Sequence, residues 1–389
     1  MIANDDLVSD VGGVYVHIAL CRSKCIYCDF YSSVLRRDFD WHVYLDCLVK
    51  ELRSRADELK GRRRITLYIG GGTPSLIPEN LFAGFMNTLR EVIYNASPQA
   101  EIVETTMEVN PDDVSQQRVL IWKGAGIDRI SMGIQSLDEL ELHIIGRRHD
   151  ADGAIRAYSL LKEHFSNISI DLMFGLPGQT LESLRKTLEG FISMHPSHIS
   201  AYSLMYEERT ALTRMRDSGR IKEADENLSV DMFSMINSML RDAGYVRYEI
   251  SNYSLPGFES KHNSSYWNGT PYVGIGPSAH SYDGNKTRRW NSADLDAYIN
   301  GVKKSDVYSE SEVLSDTELY EECVMTSIRK STGIELKNIR ERFGEESVSR
   351  LIDKARNSIE KGLLEMKEDR IFLTDDGIMV SDEIIVELF

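Results

Sequence analysis

The sequence predicts an α/β fold: a partial (β/α)6 barrel of the TIM type followed by a small C-terminal α+β domain of winged-helix character. Three observations predict it. Apolar, β-rich runs recur six times between residues 13 and 205 with helical segments between them. Residues capable of chemistry fall at or just past the ends of nearly all these runs. The rhythm loosens from about residue 206 and changes again near 311. Alternating β and α segments give parallel strands joined by crossover helices, in either an open doubly wound sheet or a barrel. Chemistry gathered at the strand ends favours the barrel, whose site is built at its C-terminal rim.

The strand runs are GVYVHIAL (13–20), ITLYIG (65–70), IVETTMEV (102–109), IDRISMGI (127–134), ISIDLMFG (168–175) and HISAYSLM (198–205). Between them, WHVYLDCLVKELRSRADELK (41–60) and SLRKTLEGFISMH (183–195) carry apolar residues three and four apart, the stripe of an amphipathic crossover helix. Further on, NLSVDMFSMINSMLRDAG (227–244) reads as a long helix, followed by YVRYEISNYS (245–254) and a Gly, Pro and Asn-rich loop, KHNSSYWNGTPYVGIGPSAHSYDGN (261–285). Beyond 311, SDTELYEECVMTSIRK, ELKNIRERFG and SVSRLIDKARNSIEKG read as three helices, and LLEMKEDRIFLTDDG as a hairpin before a short last helix. The expected organisation is a barrel over 1–205, its extension over 206–310 and a C-terminal domain over 311–389.

A chain of 389 residues can bury a core that needs no disulfides. Its formal net charge of −16 argues against a nonspecific hold on nucleic acid, whose phosphates demand clustered Lys and Arg. Residues 311–389 carry 11 Lys and Arg against 19 Asp and Glu, so the winged-helix-like domain is expected to be a lid or a protein-docking module and not a DNA reader. No run approaches the roughly 18 apolar residues of a membrane span. The start, MIANDDLVSDVGG, lacks the apolar stretch of a secretory signal. Five cysteines, an odd number with three clustered, suit a reducing compartment, and the cytoplasm is the expected location.

The clustered thiols lie in ALCRSKCIYCDFY (19–31), where Cys21, Cys25 and Cys28 have the spacing C-x3-C-x2-C. One short loop then brings three sulfurs together from one side and leaves a fourth face open. A structural zinc wants four ligands, usually two separated pairs. No second pair exists, since Cys47 lies in a predicted helix and Cys323 in the C-terminal domain. A four-iron cubane held by three thiolates keeps one iron free for another ligand, whereas electron-transfer clusters use four cysteines. The alternatives are a lone zinc completed by His17 or an outside ligand, and a chance cluster of small buried residues.

CRSKCIYCDF followed in order by GGGTP, MEVNP, SMGIQS and IDLMFGLPGQT resembles the radical S-adenosylmethionine (radical SAM) enzymes, in particular the coproporphyrinogen-dehydrogenase-like branch and its heme chaperones. The resemblance runs from Tyr15 through the C-terminal domain. It implies a [4Fe-4S] cluster on Cys21, Cys25 and Cys28, whose open iron chelates the amino and carboxylate groups of S-adenosyl-L-methionine. It also implies that Tyr15 lies beside the cluster and that Tyr27 packs on adenine or cluster, although each fits a core aromatic equally. In YIGGGTPS the residues Gly71, Gly72 and Thr73 follow a strand, where missing side chains let the backbone approach a ligand. The family sets this loop against the methionine end of the cofactor. Glu108 is a carboxylate on a β-run facing the barrel interior, where a cationic ligand would supply the partner a buried acid needs. Gln135, Arg147, Asp171 and Met205 match positions that touch a second S-adenosylmethionine or the substrate side; Met205 also fits plain core and Arg147 a surface charge.

Two departures bear on activity. The oxidase that decarboxylates coproporphyrinogen has a further cysteine where this chain has Phe30, and an N-terminal extension where only fourteen residues precede Tyr15 here. HNSSYW (262–267) fits an HNxxYW pattern associated with the chaperones. His262 there either ligates heme iron or ties down the loop, and His280 in GPSAHSY is a second candidate. The expectation is a protein that binds the cluster, S-adenosylmethionine and heme and transfers heme to a client protein, its radical chemistry vestigial or restricted. The further partners expected are an electron donor, a second copy of the chain and a peripheral membrane contact. The rivals are an oxygen-independent coproporphyrinogen III oxidase of porphyrin biosynthesis and a zinc-stabilised interaction scaffold.

Overall fold

Successive residues of a strand point to opposite faces of a sheet, and here the two faces differ in chemistry. Val14, Val16 and Ile18, then Ile65, Leu67 and Ile69, then Ile130, Met132 and Ile134, then Ile168, Ile170 and Leu172 are buried in one apolar core shared with the helices. The residues between them, among them Tyr15, Thr66, Tyr68, Arg129, Ser131 and Asp171, are polar or aromatic and take the other face. An apolar outer face covered by helices and a polar inner face define a barrel with a lumen fit for chemistry.

The computed structural model describes residues 10–305 and 309–389. β1 (Val11–Ile18), β2 (Arg64–Gly71), β3 (Glu101–Val109), β4 (Arg129–Gln135), β5 (Asn167–Phe174) and β6 (His198–Ser203) lie side by side in sequence order, all parallel. The crossovers contain α1 (Trp41–Ser54), α2 (Glu79–Ala96), α3 (Gln116–Gly124), α4 (Ala151–Lys162) and α5 (Leu181–Met194). The helix expected over 41–60 stops at Ser54. There Arg55 turns its guanidinium to Glu58 and to the Gly274 carbonyl, 2.7 and 2.8 Å away, and Ala56–Leu59 tighten into a 3-10 turn.

The sheet continues past both ends of the six. After α6 (Glu226–Asp242), the short pair Val246–Arg247 and β7 (Asn252–Ser254) adds antiparallel to β6. The 261–285 stretch expected as a loop instead opens with a helix, α7 (Lys261–Trp267), because its first turn is satisfied from two directions. The Ser260 hydroxyl accepts the Asn263 N–H, and Glu104 accepts the N–H groups of Lys261 and His262 at 2.9 and 3.0 Å. β8 (Tyr272–Ile275) then pairs parallel with β1, and β9 (His280–Tyr282), β10 (Thr287–Asn291) and β11 (Ser309–Val313) follow antiparallel, completing a twelve-stranded sheet among the described residues.

The C-terminal part has the expected order. α8 (Asp316–Ile328), α9 (Leu336–Phe343) and α10 (Glu345–Glu360) precede the hairpin Leu364–Lys367 and Arg370–Leu373, which Ile334–Glu335 joins as a third strand, and α11 (Ser381–Leu388) ends it. Val324, Ile328, Ile339, Leu351 and Ile371 centre its own apolar cluster. Arg288 on β10 pairs with Glu322, and the Arg329 guanidinium lies 5.0 Å over the Trp267 ring, so α8 meets both β10 and α7. No helix among the described residues is long and apolar enough to cross a membrane.

Candidate functional site

The cysteine loop leaves β1 and returns on itself. Leu20–Cys21 pairs with Ser33–Val34, and the Leu35 N–H donates to the Cys21 carbonyl at 2.8 Å. Between Cys25 and Cys28, Ile26 packs against a small apolar cluster of Ile145, Met173, Leu176, Leu204 and Leu212 that Tyr27 also joins. The Ile26 carbonyl accepts the Leu212 N–H at 2.9 Å. The loop is thus anchored by its apolar residues, while Cys21, Cys25 and Cys28 are free thiols still partly open to solvent. Burial, with Cys25 and Cys21 adding to it, pushes the Cys28 thiol up to about 11. A bound metal centre reverses that preference, since a coordinating thiol is deprotonated.

The donor set, three soft thiols on one loop, fits an iron–sulfur cluster. Three thiolates on a cubane need no common centre, because each ligates its own iron, and soft sulfur donors suit iron–sulfur chemistry. The Thr73 hydroxyl donates to Cys21 Sγ at 3.4 Å, and Arg147 Nη1 stands 3.6 Å from Cys25 Sγ. Tyr27, half-buried beside Arg147 and Cys25, has its hydroxyl held above its ordinary range by the loss of solvent around it.

Behind the cysteines, the end of β2 meets Glu108 on β3. Tyr68 OH donates to Glu108 Oε1 at 2.8 Å and the Gly71 N–H to Oε2 at 3.0 Å. The glycines make room for the protein's own atoms: a Cβ on Gly71, whose φ is +104°, would stand 2.6 Å from the His17 ring, and one on Gly72 2.6 Å from the Leu20 carbonyl oxygen. Close backbone packing, and not only access for a ligand, therefore demands glycine here. Burial raises Glu108 to about 7, with Asp171 adding to the push and the Tyr68 and Gly71 donors opposing it. Asp171, near Ser131 and Ser200, is raised by burial to about 6. Two half-buried carboxyls on one lumen, faced by the buried Arg129, are a setting that suits a cationic group such as a sulfonium or ammonium.

Gln135 sits at an irregularity in the β4–β5 register with φ +76°, a backbone conformation rare outside glycine and typical of ligand sites. Arg147 is locked by Asn110 Oδ1, 2.9 Å from Nη2, and by the Gly133 carbonyl, while its buried Nε has no partner in the protein. Cys21, Cys25, Tyr27, Thr73, Glu108, Gln135 and Arg147 thus ring one end of the barrel, with Asp171 on the lumen wall. Met205 lies two residues past β6 and is 67% exposed.

The two histidines lie elsewhere. His262, on α7, closes the opposite end of the lumen: it is buried, Nδ1 bridges to Thr66 Oγ1 at 2.8 Å and Nε2 to Tyr266 OH at 2.9 Å. Burial, then Arg129, lowers it to about 3. His280, at the start of β9, is exposed, its ring stacked on Trp290 at 5.9 Å with no hydrogen-bond partner among the described residues. Residues that sequence reasoning missed complete the picture. Tyr68 and Asn110 orient Glu108 and Arg147; His17, named from the sequence only as a possible zinc ligand, instead bridges Tyr15 OH at 3.0 Å to the Tyr31 carbonyl at 2.9 Å. The signal for Tyr68 and His17 is their place on the polar face of alternating strands.

Comparison with known proteins agrees with this geometry. The radical SAM superfamily profile matches residues 15–190, and the HemN C-terminal domain profile matches residues 314–380. The heme chaperone HemW of Bacillus subtilis is 32% identical over 372 residues, covering 95% of this chain and 97% of that protein. The HemW of Lactococcus lactis is also 32% identical, covering 95% of each. Bovine mitochondrial radical S-adenosyl methionine domain-containing protein 1 is 33% identical over 84% of this chain and 75% of its own. Among solved structures, the coproporphyrinogen III oxidase HemN of Escherichia coli superposes with a TM-score of 0.82 over 97% of this chain and 89% of that one, at 22% identity, a likeness of fold. The chain belongs to the radical SAM superfamily and, within it, to the family of the heme chaperone HemW.

Proposed function

We propose that the chain binds a [4Fe-4S] cluster and S-adenosylmethionine at the cysteine rim, takes up heme and passes it to a client protein. What carries this reading is the three-thiol loop in a chain related over nearly its whole length to proteins named heme chaperones. Cys21, Cys25 and Cys28 would hold the cluster, and Tyr15, Tyr27, Gly71, Gly72, Thr73, Glu108, Gln135, Arg147 and Asp171 the S-adenosylmethionine. Once reduced by an electron donor, a bound cluster would supply the electron that cleaves the sulfonium S–C bond of S-adenosylmethionine into methionine and a 5′-deoxyadenosyl radical. The protein's own part is electrostatic and positional. Glu108, aimed by two donors, offers its charge to the ligand's cation. Arg147, with Nε free and two other contacts fixed, offers a cation to its carboxylate.

For heme, His280 offers an imidazole whose pKa is lowered by partial burial and by Arg288, which favours the neutral form that ligates iron, with the Trp290 ring as a flat wall beside it. An electron donor, a second copy of the chain and a membrane surface are the further contacts this reading entails, in the cytoplasm. The test is an anoxic preparation with the cluster reconstituted. Hemin titration should give a saturable Soret shift near one equivalent, and coproporphyrinogen III should not be turned over. Protoporphyrinogen IX formed at catalytic rates would overturn the chaperone reading in favour of the oxidase.

A further inference from the structure

His262 belongs to the motif that invites a heme-ligand reading, yet its surroundings give it a different task. Its two ring nitrogens are spent on Thr66 and Tyr266 and its ring is buried, so ligating iron would require breaking one of these hydrogen bonds and opening the barrel floor to the metal. What the ring touches is informative. It stacks on Tyr68 at 5.0 Å with planes 28° apart and lies against Tyr15 at 6.4 Å and 26°. Those two tyrosines begin separate chains of contact toward the rim. Tyr68 donates to Glu108, whose other oxygen takes the Gly71 N–H. Tyr15 bonds to His17, which packs against Gly71 and bonds to the Tyr31 carbonyl just past the cysteine loop.

One imidazole therefore supports both sides of the predicted cofactor site from beneath. Its own position is set independently. Glu104 holds the first amides of α7, Gly13 leaves room for the ring (a Cβ there would meet His262 Cε1 at 3.3 Å), and Arg329 of the C-terminal part covers Trp267 at the other end of the helix. The two tyrosines lie on adjacent strands in register, Tyr15 opposite Tyr68, so one ring braces both.

We propose that His262 is a positioning residue of the S-adenosylmethionine site, wedged under Tyr15 and Tyr68 so that the Glu108 carboxylate and the Gly71 amide keep their aim. This rests on the reading of Glu108 and Gly71 as part of that site. A group that orients a ligand-binding side chain usually costs about tenfold to a hundredfold in affinity when removed.

The experiment uses the full chain with its cluster reconstituted. Three quantities are measured side by side: iron content, S-adenosylmethionine affinity from the change in the reduced cluster's EPR spectrum, and the hemin Soret titration. His262→Ala should keep the iron and the heme titration of the unsubstituted chain and weaken S-adenosylmethionine by about tenfold or more. Tyr68→Phe, which keeps the stacked ring and deletes the hydroxyl, should weaken it as well. His262→Gln retains a side chain that can bridge Thr66 and Tyr266, so it serves if the alanine variant does not fold, and it should lose less affinity than the alanine. Loss of the Soret shift in His262→Gln with S-adenosylmethionine affinity unchanged would overturn the proposal and make His262 a heme ligand. Unchanged values of all three in both His262 variants would also overturn it. Absence of any S-adenosylmethionine effect in the unsubstituted chain is a different outcome, which defeats the reading of the site itself.

Discussion

The two ends of the barrel lumen hold metal-loving side chains in opposite states. At the rim, three partly accessible thiols sit on a loop pinned by Ile26 and Tyr27 against a buried apolar cluster, and Arg147 keeps one nitrogen unpaired. At the floor, His262 is enclosed, neutral and bonded at both nitrogens, and α7 is clamped by Glu104 and Ser260. The residue types alone would nominate both ends as ligand sites. The difference lies in whether the protein has already met the group's bonding capacity, and a donor already satisfied within the fold is costly to recruit.

That contrast can be broken from the floor. Glu104→Ala strips the acceptor from the buried His262 amide and the part-buried Lys261 amide at the start of α7, and a buried unsatisfied donor costs about 1–3 kcal/mol. The expected loss of about 3 kcal/mol would be read from chemical denaturation, with the iron content of the surviving folded protein unchanged. A denaturation midpoint equal to that of the unsubstituted chain would mean the floor is not held as described.

A smaller effect sharpens the rim. Glu108 has its pKa raised to about 7 by burial, so in the ligand-free protein it gives up its proton only as the pH passes that value. A cationic ligand requires the ionised form, so S-adenosylmethionine affinity should climb through this range and level off above it. Between pH 7.5 and pH 6 the dissociation constant should rise by roughly an order of magnitude, and in Glu108→Gln the dependence should shrink to the part that Asp171, raised to about 6, supplies. The same shift lowers the stability of the ligand-free fold as pH rises from the ordinary carboxyl range through 7, because the folded state binds that proton more tightly than the unfolded one.

Much of this was legible in the sequence, for identifiable reasons. The six strands appear within about two residues of their expected positions because their apolar runs answer to a single requirement, burial against helices. Cys21, Cys25 and Cys28 were legible because three thiols in eight residues have few structural uses. The helical state of 261–267 was not, since its first turn depends on Glu104, far away in sequence and on another strand. Nor was the role of Gly72, set by the Leu20 carbonyl across the loop. Tyr68 was hidden by its chemistry: a strand tyrosine reads as core, and only the register with Tyr15 and the reach to Glu108 give it a task.

The account depends first on the rim thiols carrying an iron–sulfur cubane. Iron and acid-labile sulfide measured after anoxic reconstitution, on the natural chain and on the variant with Cys21, Cys25 and Cys28 all changed to Ala, test it most directly. The prediction is about four irons and as many sulfides per natural chain, both absent from a variant that is otherwise folded. Iron and sulfide held equally by the variant would contradict it.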